Sequence, residues 1–272
     1  MADVVNLHSK DEVEAFCRNN SFLHIYALGD LDDFFWPYTT WYALRDKDQV
    51  RQLVLLYSDC SLPTVLAYAE QPFGTMRDLL SHLLPMLPRR FYAHLSNGLA
   101  DILADDYRIH AHGDFYKMAL TDPSRLEGLD GSAAVALFAA DTEELRALYT
   151  AAYPGNFFVP RMLDTGCYFG IRRRGALVSV AGVHVYSRRY KVAALGNITT
   201  RPDLCGQGLA TAVTARLCQE LRRTGIEHIG LNVKANNQAG LACYKKLGFE
   251  RIADYGEYTI TAKEIPGLAF RK

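Results

Sequence analysis

The sequence predicts a mixed α/β fold: a smaller N-terminal α/β domain over residues 1–125 and a second α/β domain over residues 134–272. Three observations support this. The chain has 272 residues, which is long for a single hydrophobic core. Short alternating apolar runs, typical of strands, are interspersed with stretches of helical period in both halves. The segment 121–133 combines Pro, Gly, Ser and Asp, as interdomain linkers do.

The N-terminal half has the pattern of an α/β domain but no motif with a chemical mechanism. Its apolar periodicity predicts helices over 10–18, 22–35 and 75–87, and strands near 41–45, 52–57, 64–69 and 115–120. The role of this half therefore stays open at the level of sequence.

The C-terminal half has clearer periodicity. Asp141, followed three residues later by Glu144, is the pattern of a capping box and predicts a helix over 141–151. An apolar residue at every fourth position from Leu209 to Leu221 predicts a helix over 208–223, and Gly248 is placed to end another over 238–247. Strands are expected over 167–171, 176–186, 190–199, 229–233 and 249–261.

Composition predicts a cytoplasmic protein without a membrane segment. No run approaches the roughly 20 apolar residues that cross a bilayer. The N-terminus is charged by its third residue and has no apolar core like that of a signal peptide. Six cysteines are scattered without a CxxC pair or a Cys/His ligand spacing, so we expect reduced thiols and no metal site.

Charge is unevenly distributed along a chain whose formal net charge is zero. Residues 1–125 hold 11 Lys+Arg against 17 Asp+Glu, whereas residues 126–272 hold 19 against 13. The basic residues form short local groups that match no nucleic-acid-binding signature. We therefore expect no nucleic acid partner and favour a small polyanionic ligand for the C-terminal half.

The stretch GNITTRPDLCGQGLAT (196–211) has the pattern of a strand, a proline turn, a glycine loop and a helix. Gly206 and Gly208 let the backbone turn there, and the free N–H groups at the start of the helix form an anion site. A dinucleotide fingerprint would need glycine at position 211, where the chain has Thr211, and the loop lacks the Lys of a P-loop. Both of those phosphate-binding motifs are excluded.

The segment CGQGLA instead resembles the signature of the GNAT acetyltransferase superfamily, (Arg/Gln)-x-x-Gly-x-(Gly/Ala). Pro202, Gly206, Gly208 and Ala210 fall on its common form. Cys205 occupies the position usually held by Arg or Gln, which removes a cation from the phosphate site. Arg201 or Arg216 is a candidate to replace that charge.

A second segment, LNVKANNQAGLACYKKLGFE (231–250), resembles a later motif of the same superfamily. The matching positions are Val233, Asn237, Tyr244, Gly248 and Phe249, while Gly240 replaces the usual Ala. Because two motifs occur in the right order, separated by one helix and one strand, the resemblance extends over about residues 135–262.

The resemblance implies a fold with splayed central strands and a cofactor site for acetyl-CoA or another acyl-CoA. It places the pantetheine arm and thioester against main-chain groups of Ile198, Thr199 and Thr200. It places the pyrophosphate on the amides of Cys205, Gly206, Gln207, Gly208, Leu209, Ala210 and Thr211. Asn237 is expected to contact the arm, although helix N-capping alone would also explain it. Tyr244 is expected to protonate the leaving thiolate, with core packing as the alternative.

The acceptor is expected to be the amine of a small molecule or a peptide. Asn156, Phe157 and Arg161 lie in the loop that covers the acceptor side in this superfamily. His184 is a candidate base on a strand, with a purely structural histidine or a relayed water as the alternatives. The acceptor's identity, the acyl length and the oligomeric state are not determined by the sequence.

The implied activity is N-acetyl transfer from acyl-CoA to a primary amine by direct attack. Two alternatives remain at this stage: a non-catalytic acyl-CoA-binding sensor, and a longer-chain enzyme of glycine N-acyltransferase type. The second has an N-terminal α/β half ahead of its GNAT half, so residues 1–125 are also interpreted as a possible degenerate GNAT copy.

Overall fold

The computed structural model describes residues 3–59 and 62–263, which cluster into two compact units. Unit 1 holds the residues up to Asn19, Trp36–Phe115 and those from Asp254 onward, and unit 2 holds Asn20–Phe35 and Tyr116–Ala253. This division differs from the boundaries expected at 125 and 134, because each unit takes a segment from the other half of the chain. The segment 121–133, expected to be a linker, lies within unit 2.

The described residues form twelve strands and six α-helices. The strands are β1 (Asp3–Leu7), β2 (Thr39–Asp46), β3 (Gln49–Tyr57), β4 (Thr64–Ala67), β5 (Arg90–Ser96), β6 (Tyr107–Leu120), β7 (Ala134–Ala136), β8 (Phe169–Arg173), β9 (Ala176–Ser187), β10 (Val192–Thr200), β11 (His228–Lys234) and β12 (Phe249–Ala262). The helices are α1 (Lys10–Cys17), α2 (Ile25–Gly29), α3 (Gly74–Leu83), α4 (Thr142–Ala152), α5 (Leu209–Arg223) and α6 (Gln238–Lys246). Both β6 and β12 have residues in each unit.

Unit 1 is a mixed sheet in the order β1-β2-β3-β4-β5-β12-β6. The pairs β1/β2, β2/β3, β3/β4 and β5/β12 are antiparallel, whereas β4 and β5 are parallel and are connected through α3. The buried face of α3 presents Met76, Leu79, Leu80 and Leu83 to the core, which is the three-to-four-residue spacing of an amphipathic helix.

Unit 2 is a mixed sheet in the order β12-β6-β11-β10-β9-β8-β7. The pairs β7/β8, β8/β9 and β9/β10 are antiparallel, whereas β10 and β11 are parallel and are connected through α5. The apolar stripe predicted for α5 is present, since Val213, Leu217 and Leu221 are fully buried against this sheet. The glycine loop is the first part of this connection, between the end of β10 and the start of α5.

Two local predictions are wrong. The helix expected over 22–35 is only the five-residue α2, because the chain leaves the helix after Gly29 and continues through turns. The capping box expected at Asp141 and Glu144 does not form at α4. The Asp141 carboxylate instead accepts from Phe138 N at 2.7 Å, and Glu144 accepts from Leu177 N at 2.6 Å. Glu144 therefore fixes α4 to β9 rather than capping its own helix.

Three strands were not predicted at all: β1, β5 and β7. The first part of β6 was also missed, since only 115–120 was expected as strand. In β5 the residues opposite the buried face include Tyr92 and His94, so the alternation of apolar and polar residues is weak in the sequence. The mixed α/β class itself is confirmed.

Within the described residues, no helix is long and apolar enough to span a bilayer. The cysteines at positions 17, 167, 205, 218 and 243 are free thiols, and Cys60 lies outside the described residues. No group of three or more His, Cys, Asp or Glu side chains in residues 3–59 and 62–263 is arranged to hold a metal ion.

Candidate functional site

The two parallel strands of unit 2 separate partway along their length. Their register runs from Val192 opposite His228 to Leu195 opposite Leu231. Beyond that point β10 continues to Thr200 and β11 to Lys234 without pairing to each other. The edge of β10 from Gly196 to Thr200 therefore faces a gap, which is the splay that the resemblance implies next to Ile198, Thr199 and Thr200.

A β-bulge at Asn197 lies where the two strands have separated. The register of β10 on β9 shifts between Gly196 and Thr199, and Asn197 has a φ of +54°, a left-handed conformation that Asn tolerates better than most residues. Its buried amide accepts from Phe157 N (3.2 Å) and donates to Phe157 O (2.9 Å) and to Tyr168 Oη (3.0 Å). The Asn197 carbonyl accepts from Tyr149 Oη at 2.9 Å. The bulge is thus tied to α4 and to the segment before β8.

Because these bonds are buried, we expect Asn197→Ala to lower the free energy of unfolding by about 2–4 kcal/mol, through loss of several hydrogen bonds and exposure of unpaired polar groups to an apolar core. Chemical denaturation of both variants would measure this. Asn156→Ala is the control, since Asn156 makes only local bonds to Tyr153 O and Phe158 N; we expect a loss of about 1 kcal/mol or less. Equal effects of the two changes would contradict the role given to Asn197.

The glycine loop between β10 and α5 leaves its backbone donors unused from Gly206 onward. Gly206 and Gly208 have φ of +78° and +77°, and a Cβ at either would meet no atom within 4 Å. Cys205 N donates to Pro202 O at 3.3 Å, and the next amide with a protein acceptor is Ala212 N, which donates to Gly208 O at 2.9 Å. Of the six N–H groups from Gly206 to Thr211, none donates to a residue in the described part of the chain. These donors lie at the positive end of a 15-residue helix, which favours an anion.

The side chains of this loop differ in their surroundings. Cys205, Gly206, Gln207 and Gly208 are exposed, whereas Leu209 is buried and Ala210 and Thr211 are half-buried. Thr211 Oγ1 lies 3.4 Å from Cys243 Sγ, which connects the first turn of α5 to α6. The residue next to Cys243 is Tyr244, so this contact sets the position of the tyrosine relative to the glycine loop.

Tyr244 is buried in α6, with its ring 6.0 Å from that of Phe249. Its hydroxyl makes no hydrogen bond to the described residues. Burial raises the pKa of this phenol well above its ordinary value, helped by Cys243, Tyr153 and Cys218 nearby. The group therefore stays protonated at physiological pH, which is the state that a general acid requires.

Asn237 has the N-capping role that the sequence analysis gave as the alternative to ligand binding. It is the N-cap of α6, and its Oδ1 accepts from Gly240 N at 2.9 Å. The side chain is exposed at the end of β11, beyond the point where β10 and β11 separate. N-capping leaves the Nδ2 donors available, so the expected contact with the pantetheine arm stays a prediction.

On the acceptor side, the structure brings Phe157 and His184 together. Their rings meet edge to face at 5.9 Å, and Phe157 is 44% exposed. His184 lies against β10, because a Cβ at Gly196 would come within 2.3 Å of its Nε2. Tyr26 Oη lies 3.4 Å from His184 Nδ1. An aromatic and imidazole surface thus lies beside the strand that borders the gap.

The other two predicted acceptor residues make different contacts. Asn156 bonds within its own loop, to Tyr153 O and Phe158 N. Arg161 places its guanidinium 4.6 Å from the ring centre of Phe34, a cation–π distance. Asn156 therefore shapes the loop, and the Arg161 side chain covers an aromatic residue of segment 20–35.

Sequence reasoning missed Tyr26 and Asn197. Tyr26 was assigned to the N-terminal domain, and no local pattern connects it with His184, which is 158 positions away. Asn197 follows a glycine in a strand pattern, and Asn is a residue that tolerates positive φ. The Gly196–Asn197 pair was the one signal in the sequence that a bulge would occur in this strand.

Comparison with known proteins gives a family match within unit 2. Residues 134–249 match the model of the acetyltransferase (GNAT) family. A 57-residue segment is 42% identical to the [ribosomal protein bS18]-alanine N-acetyltransferase of Escherichia coli K12. That segment covers 21% of this chain and 38% of the relative, so the chain spans well under half of that enzyme's length.

Two solved structures resemble nearly the whole chain at low identity. A Drosophila protein is 15% identical with a TM-score of 0.69, over 96% of this chain and 99% of that one. A tandem GNAT protein from the clavulanic acid biosynthesis pathway is 14% identical with a TM-score of 0.56, over 95% and 98%. At these identities the likeness establishes the fold.

Proposed function

Because residues 134–249 match the model of the acetyltransferase (GNAT) family, we propose that the protein is an N-acetyltransferase that moves an acetyl or other short acyl group from acyl-CoA to a primary amine. The observation that carries the proposal is the row of unused amides from Gly206 to Thr211 beside the unpaired edge of β10. Donors without acceptors fit a diphosphate, and a gap between strands fits a narrow pantetheine arm.

The residues of the site divide into three roles in this proposal. The amides from Gly206 to Thr211 hold the diphosphate, while main-chain groups of Ile198, Thr199 and Thr200 hold the arm and the thioester carbonyl. The Cys205 amide, expected from sequence to join them, instead donates to Pro202 O at 3.3 Å. Asn237 contacts the arm from the start of α6. Acyl-CoA, when bound, supplies the activated acyl group.

Tyr244 donates a proton to the departing thiolate. Its hydroxyl supports this role, because it is protonated at physiological pH and has no competing acceptor among the described residues. Phe157 and His184, with Tyr26 behind the imidazole, border the acceptor amine. An exposed phenyl ring at this position favours acceptors with an apolar portion next to the amine, such as an amino acid side chain or a peptide N-terminus.

The test combines turnover and binding. The full chain is incubated with acetyl-CoA and a panel of amines that includes amino acids, peptides with free N-termini and polyamines, and free CoA thiol is followed. Thermal stabilisation by acetyl-, propionyl- and benzoyl-CoA is measured in parallel. We expect amine-dependent thiol release and the strongest stabilisation by a short acyl-CoA. Stabilisation without turnover would favour the acyl-CoA sensor, a preference for benzoyl-CoA would favour the longer-chain enzyme, and the absence of both effects would contradict the proposal.

We also propose that unit 1 is a degenerate copy of the same fold without a cofactor site. Its parallel pair β4/β5 connected through α3 corresponds to β10/β11 connected through α5. The counterpart of the gap is closed there, because Ser96 Oγ accepts from Ala69 N at 3.0 Å and donates to Ala69 O at 3.2 Å. The segment before α3 also lacks a Gly-x-Gly sequence.

We therefore expect one acyl-CoA per chain. Isothermal titration calorimetry with acetyl-CoA should give a single class of sites with a stoichiometry of one, because a sealed pair of strands cannot admit the pantetheine arm. Ser96→Ala provides a second measurement. It removes the hydroxyl that bridges β4 and β5, but the segment before α3 still lacks a Gly-x-Gly sequence, so we expect the stoichiometry to remain one. A stoichiometry of two for the wild-type chain would refute the degeneracy of unit 1.

A further inference from the structure

The glycine loop of unit 2 lacks a cation where the family signature has one. Cys205 occupies that position, and its exposed thiol lies 3.7 Å from Arg201 O and 3.9 Å from Thr200 O. A neutral thiol is a weak donor and brings no charge to a phosphate. The question of which group supplies the charge rests on the proposed function, because it presupposes a phosphate-bearing ligand at this loop.

The two arginines that the sequence offered as replacements are already paired with acids. Arg201 forms a bidentate pair with Asp203 at 2.7 and 2.9 Å. Arg216 lies 3.2 Å from Glu220, and its guanidinium covers the ring of Phe169 at 4.9 Å. Their charge is largely compensated within the protein, so neither is well placed to act as the missing cation.

A third arginine, Arg173, reaches the loop from a neighbouring strand. It is the last residue of β8, and its Nη1 donates to Gln207 Oε1 at 2.6 Å. Gln207 is the residue between the two glycines. The contact follows from topology: β9 begins at Ala176, opposite Arg173, and Val178 O in β9 accepts from Arg201 N at 2.8 Å. The end of the β8/β9 hairpin and the glycine loop therefore lie at the same edge of the sheet.

Arg173 is also an uncompensated charge. It is exposed, and it forms no ion pair with any acidic side chain in the described part of the chain. Its neighbour Arg172, in contrast, is held by Asp141 at 2.6 Å and Glu144 at 2.7 Å. A guanidinium that is hydrogen-bonded to the centre of an anion-binding loop and has no acid of its own is suited to a bidentate phosphate contact.

We propose that Arg173 binds the diphosphate of acyl-CoA and so replaces the cation that Cys205 removes from the loop. The charge is supplied from the hairpin beside the motif instead of from within it. Gln207 holds the guanidinium over the loop, and the amides from Gly206 to Thr211 complete the site.

Binding by the full chain tests this with three probes: CoA, dephospho-CoA, which keeps the diphosphate but lacks the 3′-phosphate, and S-acetylpantetheine, which has neither. For Arg173→Gln we expect CoA and dephospho-CoA to bind about tenfold more weakly, the size expected for one exposed charge-assisted contact. Binding of S-acetylpantetheine should not change. Arg222→Gln is the matched control, since it removes the same charge from the exposed far end of α5, and it should not alter any of the three affinities.

A rescue experiment separates charge from structure. In the double variant Arg173→Gln with Cys205→Arg, the cation is returned to the family's own position, and we expect CoA affinity to recover to within about threefold of wild type. Wild-type affinity in the single Arg173→Gln variant, or a loss confined to CoA and absent with dephospho-CoA, would overturn the assignment while leaving the proposed function intact. A wild-type chain that binds none of the CoA probes would overturn both.

Discussion

Replacing Gly208 by Asp should abolish acyl-CoA binding, with a loss of affinity of about 100-fold or more. The new carboxylate would lie among amides that have no acceptor in the described chain and that we expect to hold a diphosphate. It would satisfy those donors itself and repel the phosphates. At a few ångströms in a partly exposed site, repulsion between two like charges amounts to several kcal/mol, enough for this effect.

Gly208→Asn is the matched control, because Asn has nearly the same size and shape as Asp but carries no charge. Both residues tolerate the φ of +77° found at Gly208 better than other side chains do, and the space around a Cβ there is empty. We expect Gly208→Asn to bind within about tenfold of wild type, with the Asp variant far weaker. Calorimetric titration with acetyl-CoA measures both. Similar affinities for the two variants would mean that the phosphates are not bound at this loop.

Tyr244→Phe should reduce kcat by about 100-fold while leaving the affinity for acyl-CoA nearly unchanged, because proton transfer by a positioned acid typically contributes a factor of this size. Phenylalanine keeps the packing against Phe249 and removes only the hydroxyl, which has no protein partner in the described residues. The fold should therefore be unaffected. Steady-state kinetics with a saturating amine, together with direct titration of acetyl-CoA, separates the two effects.

Tyr153→Phe controls for the loss of a tyrosine hydroxyl near the same place. Tyr153 is exposed and contributes to the raised pKa of Tyr244, but has no proton-donating role in the proposed reaction. We expect its kcat to stay within about twofold of wild type, since an exposed substitution of this kind seldom disturbs a site. If Tyr244→Phe turned over normally, or if it lost acyl-CoA binding along with activity, the tyrosine would be a packing residue and another group would donate the proton.

The parts of the fold that could be predicted are those fixed by local sequence. The stripe from Leu209 to Leu221 gave α5 to within one residue, because its period alone determines which face is buried. Gly248, with a φ of +93°, ends α6 as a helix-terminating glycine should. The glycine loop could likewise be located, since Gly206 and Gly208 adopt a backbone conformation that few other residues tolerate.

The parts that could not be predicted depend on contacts between distant residues. Glu144 has the spacing of a capping box, yet its carboxylate binds Leu177 N, 33 positions away, because a tertiary partner competed with the local one. Tyr26 and His184 meet only because segment 20–35 packs in unit 2. The proposed replacement of the motif's cation by Arg173 could not be predicted either, because it depends on the end of the β8/β9 hairpin lying beside the glycine loop.

The exchange of segments between the two units limits how such a gene can be divided. A fragment that begins at residue 134 would encode the whole family match and still lack α2 and the end of β6, both of which belong to unit 2. A fragment that stops at residue 125 would likewise lack the part of β12 that pairs with β5. A cut at residue 125 or at residue 134 therefore leaves each unit without a segment that belongs to it.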